Sequence, residues 1–283
     1  MLANGQGGPL SFINANRITA PQSLRSSLPT TFRGYIATQA PLPHTQPRFW
    51  RMVFEQNVHV IVCLTAVSAD RTRRAQKAER YWPLAGQTDE TDRGLFIRNL
   101  DSVDDQAQVA YRHFELWDAT RPDLARRPIV LVHYQGWPDH GVPTQTRELG
   151  DILLKIRAWK SEQQRQQSTA IDFGPMIVHC SAGCGRTGTF CVIDTALSVL
   201  EHVQYPYLAS AFRSNPQVAD EQDQDGHSAR DRYDWEGDRD ILFESLESFR
   251  TERMLMVQTA AQYKFCYEVV RDLCKYGICQ QKK

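Results

Sequence analysis

Residues 175–190 read PMIVHCSAGCGRTGTF, and this stretch decides both the fold and the chemistry predicted for the chain. The apolar run 176–180 is typical of a buried strand that ends at Cys180. Five residues follow, two of them glycine, and Arg186 then begins a predicted helix. A short glycine-containing turn between a strand and a helix points successive backbone N–H groups at one spot. The sequence therefore predicts a cradle for an anion between this strand and this helix.

Cys180 is predicted to lie at the bottom of the cradle. The positive end of the helix dipole and the nearby Arg186 both favour a thiolate, so the pKa of the Cys180 thiol should be lowered. The Arg186 guanidinium can also hold two oxygens of a phosphate. A lone cysteine is more often a buried structural residue, but the spacing Cys-x5-Arg after an apolar strand favours a nucleophile that attacks phosphate esters.

Alternating strands and helices extend on both sides of this stretch. Apolar runs predict strands at 58–64, 109–116, 128–134 and 176–180. Helical periodicity predicts helices at 49–56, 148–159, 188–203 and 258–274. This order predicts an α/β fold. We expect a single domain over 1–283, with a central twisted mixed β-sheet flanked by helices and the cradle loop between a strand and a helix.

Residues 214–240 differ in composition from the rest of the chain. They read SNPQVADEQDQDGHSARDRYDWEGDRD, which is acidic, polar and almost without aliphatic side chains. Such a segment cannot bury enough apolar surface to offset the entropy lost on ordering. We predict a disordered acidic insertion at 214–240, between two helices.

Composition excludes several classes of function. The chain has 33 Lys and Arg against 33 Asp and Glu, which gives no reason to expect a nucleic-acid partner. No apolar run is long enough to cross a bilayer, so no membrane insertion is expected.

Seven scattered cysteines favour reduced thiols in the cytoplasm, with the nucleus as the alternative. Without a Cys/His cluster at ligand spacing, neither a metal nor a cofactor is predicted, and the oligomeric state is open.

The segment HCSAGCGRTG, 179–188, resembles the signature of the tyrosine-specific, cysteine-based protein phosphatases. Other blocks resemble the same family and occur in the family's order. They are FINANRI at 12–18, YIATQAPLPHTQPRFWRMVFEQ at 35–56, KAERYWP at 77–83, WPDHGVP at 137–143 and MVQTAAQYKFCYE at 256–268. The resemblance covers most of the chain and implies hydrolysis of phosphotyrosine in partner proteins.

The resemblance also implies roles for particular residues. Cys180 attacks phosphorus and forms a phosphocysteine, and Asp139, on the family's mobile loop, protonates the leaving tyrosine oxygen and then activates water. The phosphoryl oxygens are held by Arg186 and by the backbone of Ser181, Ala182, Gly183, Cys184 and Gly185. Gln258 positions the water, with Gln262 nearby, and Lys77 contributes to substrate binding. Thr187 donates a hydrogen bond to the sulfur, and His179 organises the cradle.

Two departures from the family pattern leave alternatives open. The family's upstream tyrosine element, which stacks on the substrate ring, has no counterpart before Phe12, so either the chain is an N-terminally truncated fragment or another residue forms that wall of the pocket. Thr72 stands where the family usually has a glutamate that pairs with the catalytic arginine; Asp70 could replace it if the loop is shifted. The alternatives to an active phosphotyrosine phosphatase are a non-catalytic phosphotyrosine-binding pseudophosphatase and a phosphatase of broader specificity.

Overall fold

A mixed sheet of eight strands forms the centre of the fold. The computed structural model describes residues 12–67, 78–105, 108–138, 141–167, 170–202 and 240–276. The strands are β1 Ala15–Ile18, β2 Tyr35–Thr38, β3 Val60–Cys63, β4 Thr88–Asp92, β5 Leu95–Asp105, β6 Val109–Asp118, β7 Arg127–Tyr134 and β8 Met176–His179. Their order across the sheet is β1-β2-β8-β3-β7-β6-β5-β4.

Five α-helices and one 3₁₀ helix accompany the sheet in the described part of the chain. The α-helices are α1 Gln46–Glu55, α2 Arg147–Arg165, α3 Gly185–His202, α4 Ile241–Glu252 and α5 Ala260–Tyr276. The 3₁₀ helix is Gln22–Ser27. Among these helices, none is both long enough and apolar enough to span a bilayer.

The four central strands β2, β8, β3 and β7 are parallel, and their neighbours on both sides are antiparallel. Parallel strands are buried on both faces, which explains why β3 and β8 are continuous apolar runs in the sequence. Their carboxyl ends all reach the same edge of the sheet. This edge is where open α/β sheets usually bind ligands.

The core forms one apolar layer on each face of the sheet. One layer packs α2, α3, α4 and α5 against the sheet and contains Leu153, Phe190, Phe249 and Phe265. The other packs α1 against the opposite face through Phe49 and neighbouring residues. Helices therefore flank the sheet on both sides, and the predicted α/β class with a single domain is confirmed.

Most predicted elements are present with shifts of a few residues at their ends. The strand predicted at 176–180 ends one residue earlier, so Cys180 is the first residue of the loop. The strands β1, β2, β4 and β5 were not predicted. The insertion predicted at 214–240 lies outside the described residues except for its last residue, Asp240, and it stays a prediction. Asp240 is the N-cap of α4, because its carboxylate accepts a hydrogen bond from the backbone N–H of Phe243 at 2.9 Å.

Candidate active site

The candidate site lies where the carboxyl ends of three parallel strands meet. His179, the last residue of β8, pairs in register with Thr38 at the end of β2 and with Cys63 at the end of β3. Cys180 follows directly. The backbone after these strands therefore surrounds the loop that begins at Cys180 and leads into α3.

The cradle loop is held against the neighbouring strands by its own backbone. The Ala40 N–H donates to the Ser181 carbonyl oxygen at 3.0 Å, and the hydroxyls of Ser181 and Thr65 lie 3.3 Å apart. Gly183 has a φ of 73°, and a Cβ there would lie 2.1 Å from the backbone oxygen of Thr38. Only glycine fits this position, because it alone tolerates both the left-handed backbone and the close approach.

The Cys180 sulfur is surrounded by donors that stabilise a negative charge. The Gly183 N–H donates to the sulfur at 3.3 Å. Burial alone raises the pKa of the Cys180 thiol, but its pKa is nevertheless lowered from the ordinary value, because the Thr187 hydroxyl and the N–H groups of Cys184, Thr187 and Gly183 favour the thiolate. Among the described residues the Thr187 hydroxyl has no acceptor in good hydrogen-bonding geometry. It favours the thiolate because it lies close to the sulfur. Cys180 is thus set up to carry a negative charge in a buried position.

Arg186 lies in the first turn of α3 and is almost completely buried. Its Nη1 donates to the carbonyl oxygen of Leu64 at 2.9 Å, directly after β3. This bond fixes the direction of the guanidinium from the neighbouring strand. A fixed planar guanidinium beside the cradle can orient phosphate oxygens bidentately.

His179 is fully buried and hydrogen-bonded at both ring nitrogens. Its Nδ1 lies 3.1 Å from the Cys180 carbonyl oxygen and its Nε2 lies 2.7 Å from the Tyr81 hydroxyl. Burial, aided by His133, lowers the pKa of His179 to about 4, so the ring is neutral at neutral pH. Because a carbonyl only accepts, Nδ1 carries the proton and Nε2 accepts from Tyr81. His179 therefore fixes the backbone of Cys180 without adding a charge.

Arg253 holds the outer side of the cradle. Its Nε donates to the Gly183 carbonyl oxygen at 2.7 Å, and its Nη2 donates to the Ala182 carbonyl oxygen at 2.9 Å. A planar trans peptide unit directs its C=O and its N–H to opposite sides. Pulling the Ala182 carbonyl outward therefore turns the Gly183 N–H inward, and pulling the Gly183 carbonyl outward does the same for the Cys184 N–H. These are two of the three amides that lower the pKa of the Cys180 thiol.

Gln258 and Gln262 lie at the opening of the cradle. A Cβ added at Gly185 would lie 2.6 Å from Gln258 Oε1 and 3.0 Å from Gln262 Oε1, so both amides face the start of α3. The Gln258 N–H donates to Gln262 Oε1 at 2.9 Å. Val257, directly before Gln258, has a φ of 58°, which is strained for a β-branched residue. Such strain is typical of backbone held in place for a function.

Sequence comparison agrees with this geometry. A sequence model of the family described as protein-tyrosine phosphatase matches residues 2–217. The chain belongs to the protein-tyrosine phosphatase family. It is 33% identical to receptor-type tyrosine-protein phosphatase epsilon of Rattus norvegicus over 243 residues, which cover 84% of this chain and 28% of the relative. It is 31% identical to tyrosine-protein phosphatase 3 of Dictyostelium discoideum over 268 residues, covering 95% and 22%. The match to tyrosine-protein phosphatase Lar-like of Caenorhabditis elegans is 32% over 278 residues, covering 98% and 10%.

The chain spans about a quarter or less of the length of these phosphatase relatives. What the relatives share with it is therefore the domain that contains the cradle, and not the whole of each protein. Among the described residues, no group of three or more His, Cys, Asp or Glu side chains has the arrangement of a metal site.

Two of the phosphatase family blocks, 12–18 and 77–83, contribute residues that hold the cradle. Asn14 and Asn16, from the block at 12–18, accept hydrogen bonds from Arg253 at 3.1 and 2.6 Å. Tyr81, from the block at 77–83, holds His179. Arg253 itself was not predicted. Its partners are up to 239 residues away in sequence, and no local pattern reveals such contacts.

Two predicted site residues, Asp139 and Lys77, lie outside the described residues, as does Thr72. The structure does describe both flanks of Asp139. The Trp137 indole N–H donates to the Gly141 carbonyl oxygen at 3.3 Å. Trp137 is buried and packs edge-on against Phe265 of α5. The family's acid loop is therefore anchored on either side of the residue that the sequence predicts as the acid.

Proposed function

We propose that this chain hydrolyses phosphotyrosine in proteins through a phosphocysteine intermediate, and that it needs no metal for this reaction. The observation that carries the proposal is the buried Cys180 thiol beside the fixed guanidinium of Arg186. The pKa of this thiol is lowered by the Thr187 hydroxyl and by the N–H groups of Cys184, Thr187 and Gly183. The amides and the guanidinium supply the positive field that phosphoryl transfer requires.

In the first step the Cys180 thiolate attacks phosphorus and forms an S–P bond while the bond from phosphorus to the tyrosine oxygen breaks. The leaving oxygen takes a proton from Asp139, which begins the step as a carboxylic acid. Arg186 and the amides of 181–186 stabilise the charge on the three phosphoryl oxygens that take no part in bond making or breaking. The products of this step are a phosphocysteine and a protein tyrosine.

In the second step water attacks the phosphocysteine. Gln258 positions the water, with Gln262 supporting the backbone of Gln258, and the Asp139 carboxylate now accepts the proton from water. The S–P bond breaks, the Thr187 hydroxyl stabilises the departing thiolate, and inorganic phosphate is released. Asp139 ends protonated, ready for the next cycle.

We infer a reducing compartment, the cytoplasm or the nucleus, as the site of this activity. A thiolate is oxidised more readily than a thiol, and the six cysteines among the described residues are all free thiols. Phosphotyrosine-containing proteins are the proposed partners. Fractionation of cells that express the full protein, with detection of the phosphatase activity, tests this inference.

The decisive experiment measures hydrolysis of p-nitrophenyl phosphate and of a phosphotyrosine peptide by the purified chain in the presence of a chelator. Cys180→Ser is expected to abolish turnover, while Cys274→Ser, which alters a thiol of α5 outside the cradle, is expected to retain it. Quenched reactions of the unaltered chain should contain phosphate bound to Cys180. Turnover that survives in Cys180→Ser would refute the mechanism.

A panel of phosphotyrosine, phosphoserine and phosphothreonine peptides and phosphoinositides, run on this chain and on a version extended upstream, tests specificity. Asp139→Ala is expected to keep peptide binding and to lose turnover by about 100-fold or more, as expected for loss of a general acid. Binding of phosphotyrosine peptide without any turnover by the unaltered chain would instead identify a non-catalytic binding module.

A further inference from the structure

A second cavity, separate from the cradle, lies at the other end of the elements that build the cradle. Its volume is about 410 Å³, which is within the range of small-molecule sites. Met176, the first residue of β8, and Ser198 and Glu201, near the end of α3, line it. The cradle follows the last residue of β8 and precedes α3. Because α3 has 18 residues and is about 27 Å long, a ligand in this cavity does not reach the cradle.

The carboxylates of the cavity are already paired. Arg157 of α2 contacts Asp194 at 3.2 Å through Nη2 and Glu201 at 2.8 Å through Nε. The Tyr35 hydroxyl donates to Asp194 at 2.9 Å. A cationic ligand would have to compete with Arg157 for both acids, so the cavity does not favour a cation.

Lys160 also lines the cavity, and no carboxylate of the described residues contacts its ammonium. It is part-buried, and within the described ranges its ammonium makes no ion pair and no hydrogen bond. The ring of Phe173 lies near it, with its centroid 5.7 Å from Nζ. Burial lowers the pKa of Lys160, although Asp194 acts in the opposite direction. An anionic group bound in the cavity would give the Lys160 ammonium the contacting anion that it lacks, through a charge-assisted hydrogen bond.

The remaining walls are mixed, with polar residues such as Thr31 and Ser198 beside an apolar side. Phe32 and Ile156 line the cavity together with Met176. A ligand that fits therefore has one anionic group for Lys160 and an apolar body for these side chains. We propose that this cavity binds an amphipathic organic monoanion, an aromatic or aliphatic carboxylate, with the carboxylate on Lys160.

The test uses 2-naphthoate as the probe and its neutral amide, 2-naphthamide, as the matched ligand. The chain has five methionines, and Met176 lines the cavity whereas Met254 and Met256 lie just before Gln258 at the cradle. In protein labelled with ¹³C at the methionine methyl groups, naphthoate is expected to shift the Met176 resonance saturably and to leave those of Met254 and Met256 in place. Met176→Leu assigns the resonance.

Lys160→Met is expected to weaken naphthoate binding about tenfold and to leave naphthamide binding unchanged. Lys160→Arg, which keeps a cation at this position, should bind naphthoate about as well as the unaltered chain. Lys264→Met, which removes an exposed lysine of α5, is the control and should change neither. In the unaltered chain naphthoate should bind about tenfold more tightly than naphthamide, which tests the proposal even if Lys160→Met fails to fold. A Met176 resonance that naphthoate does not move, or equal affinities for the two ligands, would overturn it. This readout does not depend on catalysis, so it succeeds or fails independently of the proposed phosphatase activity.

Discussion

Removing the Arg253 side chain should damage the thiolate at Cys180 although the two side chains do not touch. Arg253→Met removes the donors that hold the Ala182 and Gly183 carbonyl oxygens. Each buried carbonyl left without a donor costs about 1–3 kcal/mol, so the free energy of unfolding should fall by about 2–6 kcal/mol. That range includes a large share of the stability of an ordinary domain. Arg253→Lys is therefore the more informative variant, because a lysine keeps the charge but lacks the planar fork that reaches both oxygens and the two asparagines together.

The assay is the rate of alkylation of Cys180 by iodoacetamide as a function of pH, which gives the pKa of the thiol. In Arg253→Lys the Gly183 and Cys184 amides are no longer held towards the sulfur, and the pKa should rise towards its ordinary value. Cys63 provides an internal control, since burial raises the pKa of its thiol to about 12 and it should remain unmodified. If Arg253→Lys and Arg253→Met both leave the pKa of Cys180 unchanged while urea denaturation shows a folded protein, the peptide-plane argument is wrong.

Three further predictions test other parts of the structure. Gly183→Ala should lower the free energy of unfolding in urea more than Gly86→Ala does. Both substitutions cost about 1 kcal/mol because the backbone is left-handed, but only the alanine at 183 would clash with a backbone atom, the Thr38 oxygen. Equal losses in the two variants would count against the close approach. Asp240→Ala should lower the free energy of unfolding by about 1 kcal/mol through loss of the helix cap, and Asp240→Asn should recover most of it. The buried neutral His179 has a pKa of about 4, below that of an unfolded histidine. Its contribution to stability is therefore present above about pH 6.5 and is lost as the pH falls towards 4, and the free energy of unfolding should drop by about 2 kcal/mol at about pH 5. A free energy of unfolding that does not fall between about pH 7 and pH 5 would contradict this.

The parts of the fold that the sequence predicts are those specified by contacts close in the chain. Strands β3, β7 and β8 are visible because burial on both faces requires an unbroken apolar run. Strand β1 (ANRI) has two polar residues at its centre and β2 (YIAT) ends on a threonine, so neither is an unbroken apolar run, and both were missed.

The same distinction applies to the site. The cradle was predicted because its strand, glycines and arginine lie within a dozen residues of one another, where local geometry determines what they can do. Arg253 was missed because its roles arise from contacts with Gly183 and Ala182, 70 and 71 residues away, and with asparagines near the start of the chain. Neither composition nor periodicity carries information about such contacts. The role of a buried arginine such as Arg253 can be assigned only once its hydrogen-bond partners are known.

Burial alone would make Cys180 unreactive, and the other buried thiols of the protein show this. Cys63, Cys191 and Cys266 are buried as deeply, and desolvation raises the pKa of each of them. The same desolvation acts on Cys180, yet the pKa of Cys180 is lowered. The difference lies in the donors around the sulfur. The Thr187 hydroxyl and the N–H groups of Cys184, Thr187 and Gly183 favour the Cys180 thiolate. Cys191 and Cys266 belong to helices, and Cys63 to a strand, whose N–H groups are used within the helix or the sheet. The reactivity of this cysteine is therefore a property of how its loop is held. Residues that hold the loop, such as Arg253 and His179, should therefore influence the pKa of Cys180 without touching the phosphate.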